Sequence, residues 1–439
     1  MKFSQLASPA WALFLAQAAA TPRPSVITLS MSPSSAAALL LKDAGATFAV
    51  IEKKSQIGGH AETWTNPKTG IPANVGVVLF ENTEVVSNYF SRLNVSIVKT
   101  NPLSTAGPSK SYDFSLGFPI PAQNASATAA QQQALQAAAQ AYSTNVLAKY
   151  PWIDQGYLVP DPVPEELTIP FGSSRRTLLT VIAQFNWYTG DISTIPALYG
   201  IKGLGPALLN NIFGQFIVSG NGDTRALYNA AANELGDSVL LNANVVEVKR
   251  DVKIDKHTTG VTNVGTYDLT AEETTLFSKF GALGYWAGVA TVPGLNISLT
   301  NVGVQTTFNQ PVIPGTNGFS SYGSPGDFLV AVGFHNTDYT TADAQDILRK
   351  NLATLAAVGA VPKDAAETVT FPFSSDHGPY NLRVSAEEIK AGFYGKFLAL
   401  EGKRNTYWAG AVFTGHNSGL VWNFNEGTVL PALKKGLGL

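Results

Sequence analysis

The segment from Ser25 to Glu52 constrains this chain most. Val26-Ile27-Thr28-Leu29 is a short run of β formers, and Ala36 to Lys42 favours helix. Gly45 supplies a helix stop, and Thr47-Phe48-Ala49-Val50-Ile51 is a second β-rich run. Two strands joined by one helix in so short a span predict parallel pairing with a right-handed crossover. A chain of 439 residues, 45% hydrophobic, has ample material for a sizeable core around such a unit.

Composition removes several classes. Charged residues make up 14% of the chain, against about 25% in an average soluble protein, and the net charge is −2 without long basic runs. Nucleic acid and anionic membrane are therefore not expected partners. The absence of cysteine excludes disulfides, zinc–thiolate sites, iron–sulfur clusters and a cysteinyl–cofactor bond. The five histidines (60, 257, 335, 377 and 416) lack the H-E-x-x-H spacing, and no metal site is expected. Ser375-Asp376-His377 has no G-x-S-x-G elbow to go with it and reads as a polar loop.

Residues 1–20 have the pattern of a signal peptide: Lys2, an apolar stretch from Ala7 to Leu15, then small residues at Ala16, Ala18 and Ala20. Secretion, or a vesicular location, is the expectation. The N-x-S sequons at Asn94, Asn124 and Asn296 permit a glycoprotein there. Further along, the Ala/Gln-rich stretch from Asn124 to Ala148 predicts a helix with Leu135, Tyr142, Val146 and Leu147 on its apolar face. A helix is expected over Arg225 to Leu235, stopped near Gly236. Ser238 to Lys249 alternates as a strand or strand pair, and Asn405 to Leu439 reads as strand, Gly-rich turn and helix.

Glu52 closes the second predicted strand, about 20 residues beyond Ser30, where a dinucleotide-binding fold places the acid that grips a ribose. It opens the run Glu52-Lys53-Lys54-Ser55-Gln56-Ile57-Gly58-Gly59-His60, whose glycine pair allows close backbone approach to a ligand. Here the chain resembles the flavin-containing amine-oxidase-like oxidoreductases, and more closely the branch that includes beta-cyclopiazonate dehydrogenase. The similar stretches are VIEKKSQIGGHAETWTNPKTG (50–70), VGVVLFENTEVVSNYFSRLNV (75–95), IPALYGIKGLG (195–205), SVLLNANVVEVKRD (238–251), EEIKAGFYGKFLALEGKRNTYWAGAVF (387–413) and NSGLVWNF (417–424).

The resemblance implies an α/β fold (α+β overall) with FAD as cofactor. A discontinuous Rossmann-like FAD domain (25–95, 226–269 and 396–439) would be interrupted by a mixed substrate domain (96–225 and 270–395). It places Glu52, with Lys53, at the adenosine ribose, Gly58, Gly59 and His60 beside the pyrophosphate or flavin, and Val246 against adenine. Gly410, Ala411 and Leu420 would meet the flavin at the last turn and helix. From the residues alone His60 reads as a loop cap rather than a flavin contact.

The departures are local. All three glycines expected at 30–35 are serine (Ser30, Ser32 and Ser35), and Gln56 replaces an arginine that would partner the phosphates. Serine in a glycine-only conformation costs about 1–3 kcal/mol, although its hydroxyl and the helix start can still meet phosphate. Arg250 to Leu269 is short and polar where the family returns through an apolar strand, so that strand is expected to be missing. Leu420 replaces the tyrosine of an aromatic amine cage, which disfavours a simple amine and favours a bulky or cyclic substrate. Trp187, Tyr188, Phe413 and Trp422 are the candidate pocket residues.

The function expected is oxidation of a small organic molecule by hydride transfer to flavin, with oxygen or another acceptor taking the electrons. The alternatives are an inactive or FAD-deficient member of the same fold, and a nicotinamide-dependent dehydrogenase sharing the first crossover.

Overall fold

The computed structural model describes residues 2–4, 26–29, 34–101, 108–122, 125–171, 190–191, 193–250, 256–259 and 261–439. The first crossover forms as its sequence predicts. Strands Val26–Leu29 and Phe48–Ile51 pair in parallel, with helix Ser34–Asp43 between them. Short strands from distant parts of the chain extend this pair into a five-stranded parallel sheet. Its order is Val239–Leu240, Phe48–Ile51, Val26–Leu29, Lys256–Thr259 and Thr406–Trp408.

The strand expected to be missing after Arg250 is present. Lys-His-Thr-Thr, rather than an apolar run, fills the place between Val26–Leu29 and Thr406–Trp408. Parallel pairing is made by the backbone, and the β-branched threonines suit it, so the usual apolar pattern of a central strand gave no warning.

Helices Ser34–Asp43 and Arg225–Leu235 pack together with Glu84–Arg92. Ala38, Leu39, Val50, Phe90, Leu227 and Ala231 share one apolar cluster. At its rim Arg92 donates to both Asp43 (2.6 Å) and Glu234 (2.5 Å). The Arg225 helix stops at Gly236, whose φ of 53° a side chain would resist. The alternating stretch that follows is two strands, broken at Asn242 (φ 53°). The second, Asn244–Glu247, pairs antiparallel with Lys2–Ser4.

A second, eight-stranded sheet lies beyond the first. Its main order is Thr370–Asp376, Gly281–Thr291, Asp327–Phe334, Gly315–Ser321, Ser298–Asn301, Ser109–Asp113 and Phe118–Ile120, with Tyr380–Arg383 beside Gly281–Thr291. Its pairs are antiparallel except Ser298–Asn301 with Ser109–Asp113. Helix Thr341–Ala357 covers one face through Ala344, Leu348, Leu352 and Leu355, an i, i+4, i+8, i+11 stripe. A capping box between Thr340 and Asp343 starts that helix. The Ala/Gln-rich helix forms over Ala125–Asn145, with Tyr142, Val146 and Leu147 buried against the rest of the chain. Among the described residues no helix is long and apolar enough to cross a membrane.

Candidate active site

A cavity of about 750 Å³ lies between the two sheets. Glu52 stands at one end. Its backbone N–H donates to Leu240 (2.8 Å) and its carbonyl accepts from Ala243 (2.9 Å), so the strand end is pinned to the neighbouring strand. One carboxylate oxygen accepts the Lys54 N–H at 2.7 Å, and the side chain is buried. Lys53, Gly59 and His60 line the cavity beside it.

Gly58 does not line the cavity. Its φ is 118°, and a Cβ there would lie 2.6 Å from Arg225 Nη1 and 2.9 Å from the Tyr228 ring. Arg225 in turn donates to the carbonyls of Ile57 and Ala61. The glycine pair is thus divided: one residue makes room for an arginine strap, and the other faces the cavity.

The opposite end is the turn after Thr406–Trp408. Gly410 (φ 116°, ψ 179°) takes an extended conformation closed to side chains, and the chain then folds tightly, with Gly415 N–H donating to Ala411 O at 2.7 Å. Gly410, Ala411 and Leu420 all line the cavity. The Leu420 N–H donates to the side-chain oxygen of Asn417 (3.2 Å), the cap of helix Ser418–Phe424.

Of the remaining sequence candidates among the described residues, only Trp422 reaches the cavity. Val246 is 44% exposed on its strand and is not part of the cavity wall. Phe413 is core, stacked on Phe397 (4.4 Å) and Phe424 (5.9 Å). Trp422 does touch the cavity but packs chiefly against Tyr89 (4.5 Å) and Phe80 (5.9 Å). Ser35 is the second residue of helix Ser34–Asp43, whereas Ser30, Ser32, Trp187 and Tyr188 lie outside the described residues.

Sequence reading missed three groups. Burial, then the negative charge of Asp154, pushes the Glu81 carboxyl up to about 8 against a hydrogen bond from Asn417. Asp154 is itself raised by burial, although it accepts the Ala207 N–H at 2.9 Å. Lys202 is fully buried and pushed down to about 7. Its ammonium donates to Ile153 O (2.6 Å) and Gly156 O (2.8 Å) and sits 4.6 Å from the centre of the Tyr157 ring. All three line the cavity. They stand far apart in the chain and match no spacing rule, so only the fold unites them.

One wall of the cavity is aromatic. His60, His377 and His416 converge with Tyr285 and Tyr380. The polar loop expected at 375–377 is instead the end of strand Thr370–Asp376, where backbone pairing with Gly281–Thr291 outweighs the polar composition, and Asp376 and His377 line the cavity. His377 Nε2 lies 3.4 Å from Glu62, which also accepts from Lys54 at 2.7 Å. Among the described residues no cluster has the makings of a metal site.

A strand-end carboxylate, a glycine turn and a cavity lined by both, beside a parallel βαβ sheet, define a dinucleotide-type cofactor fold. Residues 31–93 match the NAD(P)-binding Rossmann-like domain family. The FAD-dependent oxidoreductase dpchF of Colletotrichum higginsianum is 60% identical, with 100% of both chains covered. Beta-cyclopiazonate dehydrogenase of Aspergillus flavus is 29% identical over 89% of this chain and 88% of that one. The chain belongs to this family of FAD-dependent oxidoreductases.

Two solved structures share the fold. The CLA-producing fatty acid isomerase from P. acnes has a TM-score of 0.72 at 16% identity, covering 93% of this chain and 98% of that one. A putrescine oxidase variant has a TM-score of 0.62 at 12% identity, with the same coverage. The alignment to the Colletotrichum relative runs over 476 positions against 439 residues here, so that relative has 37 positions without a counterpart in this chain.

Proposed function

We propose that this chain binds FAD along the cavity and oxidises a small, bulky or cyclic organic molecule. The observation that carries this reading is the single cavity running from the Glu52 carboxylate to the Gly410 turn. The donor set suits the cofactor: Glu52 offers acceptor oxygens for ribose hydroxyls, and Gly59 and Gly410 leave backbone without side chains beside the cavity. When bound, FAD supplies a hydride acceptor. The protein's part is to orient the substrate and exclude water, with the buried walls of Tyr157, Tyr199 and Trp422 doing the latter.

Purified protein should be yellow and release FAD on denaturation, and Glu52→Ala should lose most of that flavin. Colourless protein that cannot be reconstituted overturns the reading. The electron acceptor proposed is oxygen, checked by peroxide release during turnover. Secretion is proposed from residues 1–20, and an uncleaved N-terminus on the mature protein would refute it.

A second reading has its own support. The serines at 30, 32 and 35, together with the positions lacking against the 60% relative, favour a member that has lost FAD. Restoring glycine at all three serines tests it. Flavin uptake by the triple variant alone supports loss, and equal uptake by both proteins excludes it.

A further inference from the structure

Five ring side chains form one continuous wall of the cavity. Tyr380 is its centre: its ring lies 4.1 Å from His416, 4.8 Å from Tyr285 and 5.9 Å from His60. His60 stacks on His377 at 4.4 Å, nearly parallel at 16°. Tyr285 closes the circuit 5.8 Å from His377. The Tyr285–Tyr380 and His60–Tyr380 pairs are each inclined by only 29°, so the rings present broad faces rather than a herringbone.

Two features show that the wall is held in place. Tyr285 belongs to the long strand Gly281–Thr291, and His377 N–H donates to the Tyr285 carbonyl at 2.8 Å, which locks these two segments together. His416 Nε2 accepts the Asn381 N–H at 2.7 Å, tying the turn at 410–417 to the Tyr380 segment. That bond requires an unprotonated Nε2, and burial agrees, pulling His416 down to about 4. His60 is likewise held well below its ordinary value by burial, with the charges of His377, His416 and Lys54 adding to the effect. His60 and His416 therefore present uncharged aromatic faces near neutral pH.

We propose that this wall is a stacking platform for a planar, conjugated ring of the substrate, with Tyr380 as its central contact. A saturated, puckered ring of the same size meets the same faces at fewer points and loses the offset-stacking contribution. Two ligands share the required chemistry, since an isoalloxazine is also a planar conjugated ring. The platform is assigned to the substrate because its central ring Tyr380, with Tyr285 and His377, comes from the second sheet and its connections, while His60 and His416 join it from the side of Gly59 and the 410–417 turn. The residues suited to the cofactor, Glu52, Gly59 and Gly410, sit on the parallel sheet's side. The inference rests on the oxidoreductase reading for calling the ring a substrate, and its test does not depend on turnover.

The probes are 2-naphthol and decahydro-2-naphthol, which carry the same hydroxyl on a flat and a puckered frame. Calorimetric titration of the purified full chain should give about tenfold tighter binding of 2-naphthol. Tyr380→Leu should abolish that preference and Tyr380→Phe should keep it, with His60→Leu as a second lesion should the first variant fail to fold. Equal affinity of the two probes, or a preference that survives both leucine variants, overturns the proposal. Flavin content is measured in every sample. Loss of flavin with an unchanged probe preference in Tyr380→Leu gives the wall to the cofactor and also overturns it. Colourless wild-type protein that still prefers 2-naphthol refutes the FAD reading alone.

Discussion

The guanidinium of Arg225 occupies the space that a side chain on residue 58 would need, with Nη1 only 2.6 Å from the site of a Cβ there. The first glycine of the pair is thereby explained by an intramolecular strap, since Arg225 holds the carbonyls of Ile57 and Ala61 and fixes the loop leading to His60. Gly58→Ala carries a strained backbone, about 1–3 kcal/mol, and also pushes the arginine aside. It should lower the melting temperature by a few degrees. Combined with Arg225→Ala it should cost less than the sum of the two, because the clash disappears. A double-mutant cycle with no coupling would show that the strap and the glycine are independent.

Glu62 sets an acid limb of stability. Burial opposes its ionisation, but hydrogen bonds from His377, Lys54 and Ser375 win and bring it down to about 2. A carboxylate depressed in the fold contributes stability above its ordinary value near 4.5, and that contribution drains away as pH falls toward 2. Glu62→Gln should therefore cost roughly 1–2 kcal/mol at pH 7 and almost nothing near pH 2. Urea midpoints of both proteins across this range supply the check; a constant gap contradicts it.

Glu401 behaves in the opposite sense. Burial pushes it up to about 8, despite the Trp408 N–H shared between its oxygens at 3.0 and 3.1 Å. An acid raised in the fold supports folding while it keeps its proton, and that support is lost as pH climbs from 4.5 toward 8. Glu401→Gln, still able to accept from Trp408, should be more stable than wild type at pH 8 by roughly 1–2 kcal/mol. At pH 4 the two should melt alike, and a lower melting point for the variant at pH 8 would refute the sign.

Arg250 is buried among carboxylates. It donates to Asp268 at 2.8 Å and Glu273 at 2.6 Å, while Arg404 reaches Asp268 from the other side at 2.6 Å. Arg250→Met leaves Glu273 buried without its cation and should cost about 3–5 kcal/mol. Adding Glu273→Met should recover most of that loss. Denaturant titration of the single and double variants decides the matter, and no recovery would mean that the ion pair is not what the arginine serves.

Much of the fold could be read from the chain, because local rules govern it. The Val26-to-Ile51 crossover, the helix stop at Gly236 and the closing strand–turn–helix all follow from β-rich runs, glycine stops and apolar stripes. Lys256–Thr259 could not be read that way: its partners lie far off in sequence and its residues are polar. Glu52 and Gly410 were legible because a short motif surrounds each. Glu81, Asp154, Lys202 and the ring wall were not, since their chemistry comes from burial and from neighbours that only the folded chain supplies. Gly58 was legible as a necessary glycine, but the reason for it was not.

The strand Thr406–Trp408 is an edge of the sheet and, among the described residues, is paired on one side only, with Lys256–Thr259. The Gly410 turn it carries thus hangs on a strand whose partner lies some 150 residues earlier in the chain. The stretch of cavity wall that Gly410 and Ala411 supply is therefore complete only once two segments distant in sequence have met.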